Sequence, residues 1–502
     1  MKIANPLIKN ILTHYKEISL LGKIHAVLDW DLNVNLPPKA VEGRSQQSEY
    51  LAKQITKLWL NKDFRKNIEK ANVVTDLNLE ERAIVRNLNY AGKYYFNVPP
   101  EIIAQKEKLT SQAFMLWKEA KQNNTFQTFL PVFKDLIAID QLIAKHIGYK
   151  DNPYDVLLDQ HEPGLTAATC QKVFDKIKPD LVKLVKNIQK SKTYSTKSEL
   201  FDTNYHYSIP DQKKLGTLAM QKMGFDFQAG RVDVSPHPFT TTLDRSDIRI
   251  TSAFSEIDFR SSFSAYMHET GHALYEQGIN PQYAETPLEG GVSLGIHEAL
   301  SRFWENMVGK NPHFLRFLMP VFQGFFPDQL YQTTEKELIR LFHIVQPSFI
   351  RIEADEVTYT LHIILRFEME NELLNGKIKP EDAPEIWRAK CKKYFGIVLP
   401  TDSEGILQDV HWAYGEFGYF PSYALGNLYG AQLWASMKKD IAVDEELANG
   451  RLTKIHAWLD DMMHQYGSLY LPHELLKKAT HEDLNPDYFV DYLTEKYKKI
   501  YY

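Results

Sequence analysis

Residues 268–272 read His-Glu-Thr-Gly-His. On a helix, positions i and i+4 share a face, so His268 and His272 can direct both imidazoles at one metal ion. Glu269 is turned off that face, placed to reach a water on the metal without being a ligand. A cation held by two neutral imidazoles and one carboxylate acidifies its water, from ~15.7 toward ~7 in favourable sites. Glu269 is then the general base that draws the proton as this water attacks a carbonyl. The chemistry is hydrolysis, with zinc the expected ion and cobalt or manganese able to substitute. With 17 histidines in 502 residues, an accidental match to this spacing has an expectation below about one in ten.

A catalytic zinc takes three protein ligands and leaves a position open for water. Glu298, in Gly-Ile-His-Glu-Ala-Leu-Ser-Arg (295–302), is the expected third ligand, 26 residues after His272 with room for a loop and a return helix. Glu276 lies one turn past His272 and would reach away from the metal. Glu285 and Glu289, which flank Pro287, remain possible. His297 is possible too, but neighbours on a helix point in different directions, so only one of His297 and Glu298 can serve.

These residues need a scaffold, and helical periodicity supplies most of it. Segments 8–30, 44–72, 78–94, 100–122, 126–147, 167–191 and 211–223 carry apolar residues at i, i+3 and i+4. Pro37-Pro38, Pro99-Pro100, Asn152-Pro153, Glu162-Pro163-Gly164 and Ser235-Pro236 punctuate them. The stretch from Gly230 to Phe254 is rich in Val, Ile, Thr and Phe, with alternation in Asp247-Ile-Arg-Ile-Thr251, which predicts a strand or hairpin. A small sheet is therefore expected just before the motif helix. That helix is predicted over 261–277, capped by Ser261 or Ser262 and ended by Gly278. Helices follow at 294–309 and 351–374, and 400–423 reads as an aromatic loop.

Composition narrows the class. Hydrophobic residues make up 44% and charged residues 25%, and a net charge of -5 is spread along the chain, without the basic stripe of a nucleic-acid binder. No apolar run approaches the roughly 18 residues of a membrane span. Cys170 and Cys391 are the two cysteines, far apart, which fits a reducing, cytoplasmic setting. Neither a repeat nor a linker composition divides the chain, so one domain over 1–502 is expected, with its catalytic core at about 230–430.

Five ordered signatures make the sequence resemble the carboxypeptidase Taq family of zinc metallocarboxypeptidases. They are Asp247-Ile-Arg249-Ile-Thr251, the motif at 268–272, the segment around His297-Glu298, Ile350-Arg351-Ile-Glu-Ala354-Asp355, and Gly405-Ile-Leu-Gln408-Asp409-Val-His411-Trp412. Weaker similarities, such as Trp30-Asp31 with Arg44 and Gly418 to Asn427, carry the likeness over nearly the whole chain. One departure is local: Ala299-Leu300 stands where the family usually continues with Ser or Thr and then Gln or Gly.

The resemblance implies a mainly α fold, a large helical body split by a deep groove, similar to angiotensin-converting enzyme and the neurolysin-like oligopeptidases. N-terminal helices over about 1–95 would roof the groove and a small sheet would line one side. It also implies a cytoplasmic homodimer that takes peptides and releases single C-terminal residues with broad specificity. Tyr423 is the neutral donor the resemblance offers to the oxyanion; ordinary aromatic packing is the bland alternative for one of 27 tyrosines. Arg351 and Arg249 are candidates to hold the substrate carboxylate through a bidentate fork. The competing reading for Arg351 is an ion pair with Glu353, Asp355 or Glu298. Gln408, His411 and His237 can hydrogen-bond a peptide, and Asp355 and Asp409 are candidates to orient the ligand imidazoles. A related endopeptidase, or a non-enzymatic helical binding protein, is the alternative function.

Overall fold

The computed structural model describes residues 1–195 and 205–502. Its N-terminal helices are α1 (Pro6–Val34), α2 (Val41–Trp59), α3 (Lys62–Ala71), α4 (Leu79–Asn97), α5 (Pro100–Gln122) and α6 (Phe126–Ile147). The segment expected as one helix over 44–72 is two. Asn61 accepts the amide protons of Asp63 and Phe64 through its side chain, which caps a new helix and breaks the old one. Helices α7 (Tyr154–His161), α8 (Ala167–Gln189) and α9 (Ile209–Met223) follow.

The Val- and Ile-rich stretch forms the expected sheet, with strands β1 (Gly230–Val234), β2 (Thr240–Asp244) and β3 (Asp247–Ser252) in the order β1-β3-β2. β3 is central, parallel to β1 and antiparallel to β2. Its alternation is physical: Ile248 and Ile250 are fully buried, while Arg249 points to the other face.

The motif helix α10 (Phe259–Gly278) starts earlier than expected. Asp258, not Ser261 or Ser262, caps it, its carboxylate accepting the Arg260 amide proton, and Ser262 donates instead to Gln212. Phe259, Phe263, Tyr266, Met267 and Leu274 bury the apolar side of α10. Helix α11 (Leu294–Arg302) runs into a wider π turn at Phe303–Gly309. Further on come α12 (Tyr359–Leu374), α13 (Phe420–Asp440), α14 (Thr453–Met462) and α15 (Asp487–Tyr501). α12 begins later than the expected 351 because Asp355 accepts the amide protons of Val357 and Thr358 and holds that segment in a turn.

Two glycines let the site helices close. A Cβ on Gly271 of α10 would stand 2.7 Å from Ser301 Cα on α11, and one on Gly426 of α13 would stand 2.5 Å from Glu298 Cγ. Side chains there would push α10, α11 and α13 apart. The N-terminal helices meet this centre through α1, where the Trp30 ring packs on Phe239 and Lys23 pairs with Asp244 and Glu289. No helix among the described residues is long and apolar enough to cross a membrane.

Candidate active site

His268, His272 and Glu298 converge as their spacing requires. Each offers one ligand atom, and these atoms all lie within 4.8 Å of one another. Glu298 Oε2 is 3.7 Å from His268 Nε2 and 3.9 Å from His272 Nε2. Tetrahedral bonds of 2.0–2.2 Å set ligand atoms about 3.3–3.5 Å apart, so both edges from Glu298 lie within a few tenths of an ångström of those around a divalent ion. Of the other candidates for third ligand, Glu285 pairs with Lys16 and Glu289 with Lys23.

The hydrogen bonds behind the imidazoles fix which nitrogen is free. His268 Nδ1 lies 3.0 Å from Glu305 Oε2, and a carboxylate can only accept, so Nδ1 carries a proton and Nε2 is the atom turned to the cluster. Behind His272 the chain has one more link. Glu276 Oε1 is 2.7 Å from His297 Nε2, and His297 Nδ1 is 3.3 Å from His272 Nδ1. Glu276 takes the Nε2 proton of His297, whose Nδ1 then accepts from His272. Both imidazoles thus turn their Nε2 atoms toward Glu298. These orienting roles fall to Glu305, His297 and Glu276. Asp355 caps a turn and Asp409 pairs with two arginines, so neither orients an imidazole.

Glu305 carries much charge compensation. Arg302 donates to Glu298 Oε1 at 2.7 Å and to Glu305 Oε2 at 3.1 Å, and Lys310 reaches Glu305 Oε1 at 2.6 Å. Burial alone would raise its carboxyl, but Lys310 and Arg302 hold it well below the usual range. No motif marks Glu305 in the sequence, although Glu298, Arg302 and Glu305 at i, i+4 and i+7 share a helix face and are a usable signal.

Glu269 is buried beside the cluster, and burial pushes its carboxyl up against the opposing pull of His268 and Thr240. Thr240 of β2 donates to Glu269 Oε2 at 2.6 Å, so the sheet aims this carboxylate. His268, Glu269, Glu298 and Glu305 open on a cavity of about 1390 Å³ also lined by His237, Arg351 and Tyr423.

Arg351 is buried and paired, and its partner is Asp409, at 2.8 Å, not Glu353, Asp355 or Glu298. Its guanidinium lies 5.0 Å from the centre of the Tyr423 ring. Burial, with Tyr419 and Tyr359 nearby, holds the Tyr423 hydroxyl well above its ordinary pKa, so it is protonated at neutral pH. His411 Nε2 is 3.4 Å from that hydroxyl, and burial pushes the imidazole down to about 4. Arg249, Gln408 and His411 do not line the cavity. Arg249 pairs with Asp247 and lies over the Trp30 ring. Gln408, expected at a peptide backbone, accepts the Arg351 amide proton and donates to the carbonyls of Phe349, Glu404 and Gly405, which fixes the turn carrying Arg351.

A sequence model described as "Carboxypeptidase Taq (M32) metallopeptidase" matches residues 10–497. The chain belongs to the carboxypeptidase Taq family of metallopeptidases. It is 40% identical over 499 residues to thermostable carboxypeptidase 1 of Pyrococcus furiosus, covering 98% of this chain and 99% of that one. It is 36% identical to carboxypeptidase 1 of Bacillus subtilis, over 97% of each chain. Among solved structures, the Pyrococcus furiosus carboxypeptidase superimposes with a TM-score of 0.94 at 39% identity, over 99% of both chains. An M32 carboxypeptidase of Deinococcus radiodurans gives 0.95 at 31% identity, over 99% of this chain and all of that one. The chain is thus a metallocarboxypeptidase with a mainly helical fold and a small sheet.

Proposed function

We propose that this carboxypeptidase is zinc-dependent, that it releases single C-terminal residues from peptides with broad specificity, and that Glu269 is its general base. The observation that carries the reading is the convergence of His268, His272 and Glu298 at the edge of a large cavity, with both imidazole Nε2 atoms turned toward Glu298. Two neutral nitrogens and one carboxylate oxygen suit zinc, with cobalt or manganese as substitutes. Zinc held there supplies Lewis-acid polarisation of water and of the scissile carbonyl.

The chain's own groups do the rest. Glu269 takes the proton of the attacking water as its oxygen adds to the carbonyl carbon. When the C–N bond breaks, Glu269 returns that proton to the departing amine. Tyr423, protonated and facing the same cavity, donates to the carbonyl oxygen as it gains charge. Arg351 receives the terminal carboxylate on the N–H groups that Asp409 and Tyr359 leave unused, with His237 on the cavity wall as a further contact. Gln408 holds the Arg351 amide and His411 stands beside the Tyr423 hydroxyl, so both support these groups from behind. A cavity of about 1390 Å³ exceeds any one side chain, in keeping with broad specificity.

The reading extends to a homodimer working in the cytoplasm, as the family resemblance implies; both cysteines are buried and free. Mass spectrometry of a peptide digested by the zinc-loaded enzyme tests the central point. A ladder of products shortened one residue at a time from the C-terminus is expected, and internal cleavage of a C-terminally amidated peptide at an equal rate would overturn it.

A further inference from the structure

A second set of imidazole and carboxylate groups stands at the C-terminal end of α10, outside the lining of the groove. His456 and Asp460 lie four residues apart on α14, and His464 follows in the short turn His464–Tyr466. His456 Nε2 is 3.4 Å from Asp460 Oδ2, and His464 Nδ1 is 2.6 Å from Asp460 Oδ1. One ligand atom from each lies within 4.8 Å of the other two, the same limit met by His268, His272 and Glu298. Among the described residues only these two clusters meet it.

Space has been kept around the donor atoms by residues from two other segments. Gly224, at φ +96°, closes against His456, and a Cβ there would stand 2.5 Å from Nδ1. A Cβ on Gly278 would stand 2.8 Å from Asp460 Oδ1 and 3.0 Å from His464 Nδ1. The ring of His464 is fully buried, centred 5.6 Å from that of Tyr275 and 6.1 Å from that of His456. Its Nε2 has no hydrogen-bond partner.

We propose that His456, Asp460 and His464 form a second divalent-metal site, of the borderline class that accepts imidazole and carboxylate together, such as zinc. The 3.4 Å separation of His456 Nε2 and Asp460 Oδ2 already equals a tetrahedral edge of about 3.3–3.5 Å. Asp460 reaches the other donor by a turn of its carboxylate, and its side chain, 41% exposed, leaves the remaining position to water. The ion ties α14 to the turn after it. That turn leads directly to Ser468, whose amide donates to Leu288 O and whose hydroxyl donates to Gly290 O, in the loop between α10 and α11. The site is structural: it braces the connection between the two helices that carry the first cluster.

Zinc alone is the probe. Protein stripped with a chelator and dialysed against buffered Zn2+ is analysed for metal per chain by plasma mass spectrometry. Two equivalents are expected in the wild type, and one in each of His456→Ala, Asp460→Ala and His268→Ala. None is expected in the His268→Ala/His456→Ala double variant. In His268→Ala, added zinc is expected to raise Tm, and His456→Ala in that background to abolish the rise. A single wild-type equivalent that His268→Ala removes would overturn the inference, as would two equivalents retained by both His456→Ala and Asp460→Ala. A single equivalent that survives His268→Ala but is lost in Asp460→Ala supports this site and places the failure at the first cluster.

Discussion

Arg351 and Asp409 are joined by two hydrogen bonds to a single oxygen: Nε at 2.9 Å and Nη2 at 2.8 Å both donate to Oδ1. The other oxygen, Oδ2, accepts from Arg366 Nε at 2.7 Å and Nη2 at 2.5 Å. One carboxylate therefore serves two guanidinium groups, and the cluster keeps a net positive charge. Arg366 is wholly buried, whereas Arg351 lines the cavity, so the surplus faces the cavity. Arg351 Nη1 also donates to the Tyr359 hydroxyl at 2.9 Å. Three of its five N–H groups are engaged and two are left to form a fork.

That surplus predicts a selective defect. Arg351→Ala is expected to cost about 2–5 kcal/mol in kcat/KM on free-acid peptides and little on matched amidated ones, which lack the terminal charge. Arg351→Lys is expected to rescue partly, because a point charge cannot reproduce the fork. Steady-state kinetics on matched peptide pairs check this, and an equal loss on both members of a pair would remove Arg351 from the carboxylate site.

Glu269→Gln keeps the shape of the side chain and its contact with Thr240 but cannot take a proton. Hydrolysis is expected to fall by at least ~10²-fold, the lower end of what a positioned base contributes. Zinc content is expected to stay at the wild-type level. Activity within about tenfold of wild type would remove Glu269 from the base role.

Glu305→Gln tests the orientation of His268. The amide can present its NH2 to His268 Nδ1, which favours the wrong tautomer and places the proton on Nε2. Zinc affinity at the first cluster is expected to drop about 10–100-fold, as is usual when a group behind a ligand histidine is lost. Competition with a chromophoric chelator reads this directly; unchanged affinity would show that Arg302 and Glu298 alone position the site.

The parts of this site that were legible in the sequence are those set by local geometry. His268 and His272 share a face at any helical pitch, and Ile248 and Ile250 declare a strand by alternation. The approach of Glu298 to both imidazoles is one of several placements the sequence allows, with Glu285, Glu289 and His297 as the others. What was not legible depends on which elements pack together. Gly271 and Gly426 read as ordinary helix glycines until α11 is laid against both α10 and α13. Thr240 reaches Glu269 only because β2 is the strand beside the motif helix. The breaks at Asn61 and Asp355 arose from side chains competing for backbone amides, which apolar periodicity does not register. Asp409 was expected behind a histidine, yet two arginines far apart in sequence claim it.

Stability should carry a pH signature from Glu370. This carboxyl is fully buried; Oε2 accepts from Tyr154 at 2.5 Å and from the Gly418 amide at 3.0 Å, and Oε1 from Trp412 at 2.7 Å. Burial outweighs these donors and pushes it up to about 7, from about 4.5 in an unfolded chain. Between those values the folded state holds a proton that the unfolded state has lost. Stability from this group is therefore full below about 4.5 and falls as pH rises toward about 7, by up to ~1.4 kcal/mol per pH unit. Glu370→Gln removes the titration. Its oxygen can still accept from Tyr154 and the Gly418 amide, but its NH2 then faces the Trp412 N–H, at a cost of about 1–3 kcal/mol. The variant is accordingly expected to be most destabilised relative to wild type near pH 5, with the gap narrowing by pH 7.5. Denaturant midpoints of both proteins across this range, at fixed saturating zinc, measure the gap. A gap that stays constant or widens with pH would mean that Glu370 is ionised throughout, its three donors outweighing its burial.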